Sequence, residues 1–213
     1  NIGDDPSDGV YREVLVTGDD YIVLDAFAPA EAHGVVSDAP PTEGYVKSVM
    51  DIPDMDHVIE AQNRLWGCKY GTVDGNLVNE IYASALGRFD VWHKYSGVST
   101  DSYAESVGSD GRWTGAANYQ GYPLFFKEDR MHKVYVSASG AHRIQEYTMR
   151  GVESGCEKSI AVVNGVLFYK SRDCVCAYDG SNAPANVSEK LNLDSLYRPG
   201  LVTSVAAAFR DKY

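Results

Sequence analysis

The chain has 213 residues, enough for one large domain or two small ones, and its 30 Asp and Glu against 19 Lys and Arg give a formal charge of -11. Phosphate binding draws most of its affinity from a basic surface, so this balance argues against a nucleic-acid partner. No apolar run of roughly 18 residues offers a membrane-spanning helix, and the opening NIGDDPSDGV does not resemble a signal peptide.

The chain also begins without Met, as a fragment or processed product would. Residues 1–45 form an N-terminal β segment and linker. VYREVLVTGDDYIVLDAF alternates well enough for two strands about a Gly18-Asp19-Asp20 turn, while APAEAHGVVSDAPPTEG is small, polar and Pro-containing, hence loop or linker. Residues 10–27 are expected to supply strands that complete the ring of the repeats that follow, or its last blade.

Residues 46–213 carry those repeats. HVIEA-QN-RLWGCKYG, from His57, reads as strand, two-residue break and aromatic strand, followed by a longer excursion through NEIYASALGRFDVWHKYSG. Tyr82, Phe89, Trp92 and Tyr95 in that excursion are expected to pack between sheets. AANY-QG-YPLFFKE-DR-MHKVYV, from Ala116, and SIAVV-NG-VLFYKS-RD-CVCAYDGS, from Ser159, repeat the pattern. Asn164-Gly165 suits a type I′ hairpin turn, in which both central residues take positive φ, and Gln120-Gly121 stands at the same place. Phe126-Lys127 matches Tyr169-Lys170, and Tyr135 matches Tyr178. TSVAAAF-RD-KY begins a fourth copy and stops just after its turn.

A period of about 43 built from short strands is the length of a propeller blade, a four-stranded antiparallel sheet that must pack on its neighbours to bury its faces. Helical repeats would need two long amphipathic stretches per unit, which the Val, Tyr, Phe and Gly content and the frequent two-residue turns oppose. The predicted fold is therefore all-β, a β-propeller-like array of antiparallel four-stranded blades, with units at 46–110, 111–155 and 156–200 and a truncated unit at 201–213.

Candidate chemistry is sparse. Asp51, Asp54 and Asp56 cluster, as do Asp4, Asp5 and Asp8, but neither group has the ligand spacing of an EF-hand loop, so no metal is expected. Cys68, Cys156, Cys174 and Cys176 lack paired C-x-x-C spacing; Cys174 and Cys176 lie on one face of a predicted strand, where they cannot easily bond to each other. Buried free thiols from a reducing compartment are the expectation. The five histidines, His33, His57, His93, His132 and His142, show no metal-ligand spacing. SDGRW, from Ser109, is similar to the Asp-box turn of sialidase propellers, but its Ser, Asp and Gly are adjacent where the box spaces them. Arg64, Arg130, Arg143, Arg150 and Arg172 fall in different repeats, so their convergence on a carboxylate has no motif behind it. With no G-x-S-x-G, Walker loop or G-x-G-x-x-G, the chain reads as a non-enzyme without cofactors.

Exposed aromatics could still stack on a sugar. Trp113, Tyr103, Tyr119 and Tyr122 lie in or beside the segment that joins two repeats, where propellers carry function. The competing and favoured reading has Trp113 plug a junction between sheets.

The succession IPDMDHVIEAQNRLWGC, NEIYASALGRFDVWHKYSG, SVGSDGRWTGAANYQGYPLFFKEDRMHKVYV and CEKSIAVVNGVLFYKSRDCVCAYDG resembles a group of structural, virion- or tail-associated proteins of tailed phages and prophages of Gram-positive gut bacteria. The likeness spans residues 46–213, with RLWG and IYASALG its most specific pieces. It implies assembly rather than catalysis: a rigid β-repeat module of a tail or neck, built in the bacterial cytoplasm, whose partners are other virion proteins or further copies of itself. A glycan-binding propeller, as a receptor or cell-wall adhesin, is the alternative, and a propeller glycosidase a more distant one.

Overall fold

A computed structural model of the chain describes residues 14–17, 22–24, 52–73, 75–95, 97–139, 141–181, 183–190, 203–209 and 212. They fall in two units, residues 1–50 and residues 51–213. In the first unit, β1 (Val14–Thr17) and β2 (Ile22–Leu24) pair antiparallel as a two-stranded sheet of their own. They were expected to complete the ring of repeats or its last blade; instead, among the described residues, each pairs only with the other. The linker 25–45 and the Asp4, Asp5 and Asp8 cluster lie outside the described residues.

The second unit is all-β, with three four-stranded antiparallel sheets and a single short 3-10 turn at Glu157–Ser159 among the described residues. The first sheet runs β3 (His57–Ala61), β4 (Arg64–Val73), β5 (Asn76–Ala83) and β6 (Tyr103–Ser106). The second runs β7 (Gly115–Tyr119), β8 (Tyr122–Lys127), β9 (Arg130–Tyr135) and β10 (Arg143–Thr148). The third runs β11 (Ala161–Val163), β12 (Val166–Lys170), β13 (Val175–Tyr178) and β14 (Ala185–Asn186). In each, spatial order equals chain order, so every sheet is a simple meander.

Each meander opens on the same turn. Gln62 and Asn63 have φ 51° and 60°, Gln120 and Gly121 have 52° and 79°, and Asn164 and Gly165 have 50° and 79°. Positive φ at both central residues matches the right-handed twist of the flanking strands, as the dipeptides predicted. These turns are also tied from sheet to sheet: Gln62 Nε2 donates to Gly121 O at 2.7 Å, and the Tyr119 hydroxyl donates to Gly165 O at 2.6 Å.

The middle sheet is buried on both faces. Phe125 and Val134 share a core with Ala61, Trp66, Cys68, Ile81 and Ala83 of the first sheet. Leu124, Phe126 and Met131 share another with Leu167, Tyr169, Cys176 and Tyr178 of the third. Alternation along a strand sends successive side chains to opposite faces, so β8 is apolar at nearly every position because it has two cores to fill. The outer strands β6 and β10 are the more exposed.

The excursion 84–102 between β5 and β6 departs from expectation. Trp92 is buried and Tyr82 partly so, but Phe89 is 68% exposed and Tyr95 59% exposed, so neither lies between sheets. The buried Arg64 guanidinium holds the excursion instead, donating to Ser84 O, Ser99 O and Asp101 O. Near the C-terminus Ala206 N donates to Lys158 O at 3.0 Å, and Phe209 bridges Lys212 in antiparallel fashion. The expected Arg210-Asp211 turn between them lies outside the described residues. All four cysteines are buried thiols outside any disulfide, and the Cys174 and Cys176 sulfurs are 3.5 Å apart. No helix among the described residues is long and apolar enough to cross a membrane.

Candidate functional site

Lys127 ends β8 with its side chain 1% exposed. The segment leading from β6 into β7 wraps around it. Lys127 Nζ donates to Asn79 Oδ1 at 3.1 Å and to the carbonyls of Ser109 and Asp110, while Asn79 Nδ2 donates to Val107 O and Ser109 O at 2.9 and 2.6 Å. The ammonium stands 4.5 Å from the Trp113 ring centroid and 5.5 Å from that of Tyr70. Carbonyl dipoles and ring faces, rather than a contacting carboxylate, balance its charge. Burial, reinforced by Arg130, holds its pKa below the ordinary lysine value against the pull of Glu146, Asp110 and Asp129.

The other sheets carry the same device. Lys69 pairs with Asp54 at 2.6 Å and Asp56 at 3.1 Å, and Lys170 pairs with Glu153. In every sheet the lysine of the second strand clasps the segment that leads into the first. The Asp54 and Asp56 carboxylates are thereby engaged by a cation of the protein.

Beside Lys127, Ser109 Oγ lies 2.8 Å from His132 Nε2, and Glu146 Oε2 lies 2.9 Å from the same nitrogen. Glu146 faces His132 directly across the β9–β10 pair. The residue types are those of a serine-hydrolase triad, but a triad sets serine on one ring nitrogen and the carboxylate on the other. Here both meet Nε2, while Nδ1 is buried with no hydrogen-bond partner among the described residues. A carboxylate at this distance keeps the proton on Nε2, so the nitrogen facing Ser109 is a donor and cannot take the serine proton. Burial, partly offset by Glu146, lowers the imidazole pKa to about 4. Burial alone would raise the Glu146 carboxyl, yet hydrogen bonds from Ser109 and His132 and the charges of His132 and Arg130 hold it below its ordinary value.

Between the ends of the second and third sheets opens a cleft of about 970 Å³ lined by Arg112, Lys127, Arg130, Arg150 and Arg172. Lining carboxylates partner most of these cations: Arg130 with Asp129 at 2.8 Å, Arg150 with Asp173 at 2.9 Å and Arg172 with Glu128 at 2.9 Å. Arg130, Arg150 and Arg172, from two successive repeats, thus line one cleft. Arg64 holds the 84–102 excursion, and Arg143 lines a separate hollow of about 370 Å³ beside His132, His142 and Tyr103.

The four aromatics singled out from the sequence occupy different surroundings. Trp113 is 4% exposed in the seam between the first and second sheets, edge-on to Phe125 at 6.0 Å and to His132 at 4.9 Å. Half-buried Tyr103 packs in the same seam against Trp66 at 5.9 Å and His142 at 5.1 Å. Tyr119 is buried in the other seam, against Tyr178. Tyr122 rests on Tyr135 at 5.4 Å, with Lys133 Nζ 4.2 Å from its ring centroid. They present no common platform.

Sequence reasoning gave no site role to Lys127, Ser109, His132, Glu146 or Arg112. Only Lys127 left a readable trace, because a lysine recurs five or six residues after the first turn in all three repeats. Ser109, His132 and Glu146 meet through strand register, which no local motif encodes.

Fold and site together define an all-β repeat protein whose sheets are joined by buried aromatic seams and whose arginine-lined cleft is largely ion-paired within itself. No family model matches the sequence, and no curated protein matches it.

Proposed function

We propose that the chain is a non-enzymatic structural module of a phage or prophage virion, in which the three meanders are successive blades of a β-propeller-like array that docks onto tail or neck proteins or onto further copies of itself. The observation that carries this reading is the repeated joint. Each first hairpin turn is bonded to the next, and each seam is filled by large side chains from both sheets, which suits rigidity better than turnover. The only Ser-His-Glu contact found among the described residues has the wrong nitrogen geometry for a nucleophile. The virion assignment rests on the sequence resemblance. The glycan-binding alternative has less support, since the ring on which it chiefly relied, Trp113, is covered.

The test is to purify particles from an induced culture that carries the gene and to look for the chain by mass spectrometry after density-gradient banding. Stoichiometric incorporation supports the reading. Its absence from intact particles, with the chain present in the lysate, overturns it.

A further inference from the structure

We propose that the cleft between the ends of the second and third sheets is a binding site for a compact ligand that bears a carboxylate or phosphate group. Four of the chain's ten arginines line it, in a molecule of net charge -11. They come as two equivalent pairs. Arg112 and Arg150 lie on the segments that lead into β7 and β11, whereas Arg130 and Arg172 lie at the hairpins that join β8 to β9 and β12 to β13. The corresponding lead-in of the first sheet carries Asp54 and Asp56 instead, so the guanidinium lining belongs to this seam.

The internal ion pairs orient these groups without exhausting them. A guanidinium has five N–H donors in a rigid planar fork. Arg150 and Arg172 each engage a single carboxylate through Nη2 at 2.9 Å, which leaves donors on both. Their side chains are 50% and 72% exposed, open to a ligand. Arg130 is more fully used, by Asp129 and Glu146, and stiffens one wall. Arg112 is exposed on the segment that leads into β7. Two or three forks lining one hollow match the paired acceptor oxygens of a carboxylate or phosphate. The acidic remainder of the surface repels an extended polyanion, and a cleft of about 970 Å³ suits a ligand of sugar size.

The test titrates the full chain with glucuronate, glucose 6-phosphate and glucose at low ionic strength, followed by NMR shifts or calorimetry. Saturable binding of either charged sugar but not of glucose is expected, weakening with added salt. Affinity should fall roughly tenfold or more in Arg112→Gln and in Arg150→Gln. These are surface changes, and an unaltered melting curve shows that the fold is retained. Whichever charged sugar binds the tighter identifies the group as carboxylate or phosphate. Failure of both to saturate by about 10 mM, equal binding of glucose, or undiminished affinity in either variant overturns the proposal.

Discussion

Lys127 Nζ stands 4.5 Å from the ring centroid of Trp113, an ammonium buried against an indole where the first and second sheets meet. Removing the indole opens a cavity in the seam and strips the ammonium of a ring face at once. Trp113→Ala is therefore expected to destabilise the second unit by about 3–5 kcal/mol in urea unfolding. Trp113→Phe, which keeps a ring beneath the ammonium, should cost clearly less. A cost below about 1 kcal/mol for the alanine variant would show that the seam does not depend on this residue.

His132 makes stability depend on pH in a defined window. Its folded pKa of about 4 lies below the ordinary value of 6.5, so between those limits the unfolded chain takes up a proton that the folded chain refuses. Stability should rise as pH is raised from about 4 to 6.5, by roughly 3 kcal/mol at most. The depressed Glu146 carboxyl acts in the same direction at lower pH. In NMR titration the His132 ring resonances should stay unmoved through pH 6.5. A midpoint near 6.5 would refute the buried neutral imidazole.

Gly151 marks the closest approach between the second sheet and the segment leading into the third. A Cβ there would lie 1.8 Å from Lys127 O and 3.1 Å from Arg130 O, both backbone atoms that cannot swing aside. Gly151→Ala should cost about 3 kcal/mol or more, or abolish folding of the second unit. Gly108→Ala, where nothing lies within 4 Å of the added carbon, serves as the contrast and should be neutral or slightly stabilising in thermal melts.

The four thiols should be silent in the native state. All are buried, and burial pushes Cys174 up to about 12 and raises Cys68 and Cys176 as well. A thiol is nucleophilic only as its thiolate. Ellman's reagent at pH 8 should therefore find no rapidly reacting group in the folded chain and four in denaturant. Rapid native reaction of one thiol would mean that the seam between the first and second sheets, which holds Cys68, or that between the second and third, which holds the other three, opens readily.

What the sequence determined by itself is local. Alternation and two-residue turns are short-range signals, so the meanders, their first hairpins at Gln62-Asn63, Gln120-Gly121 and Asn164-Gly165, and the recurring lysine were all readable along the chain. The β1–β2 hairpin was readable for the same reason, although its place as a separate pair was not. Tertiary structure alone decided which apolar residues face which neighbour. Trp113 is buried and Phe89 exposed although both are aromatics in connecting segments, because one lies where two sheet faces close and the other on an excursion tethered by Arg64. The arginine cleft and the Ser109, His132 and Glu146 contact were settled in the same way. Their members come from different strands and turns, and only register and sheet-on-sheet packing bring them within hydrogen-bonding distance.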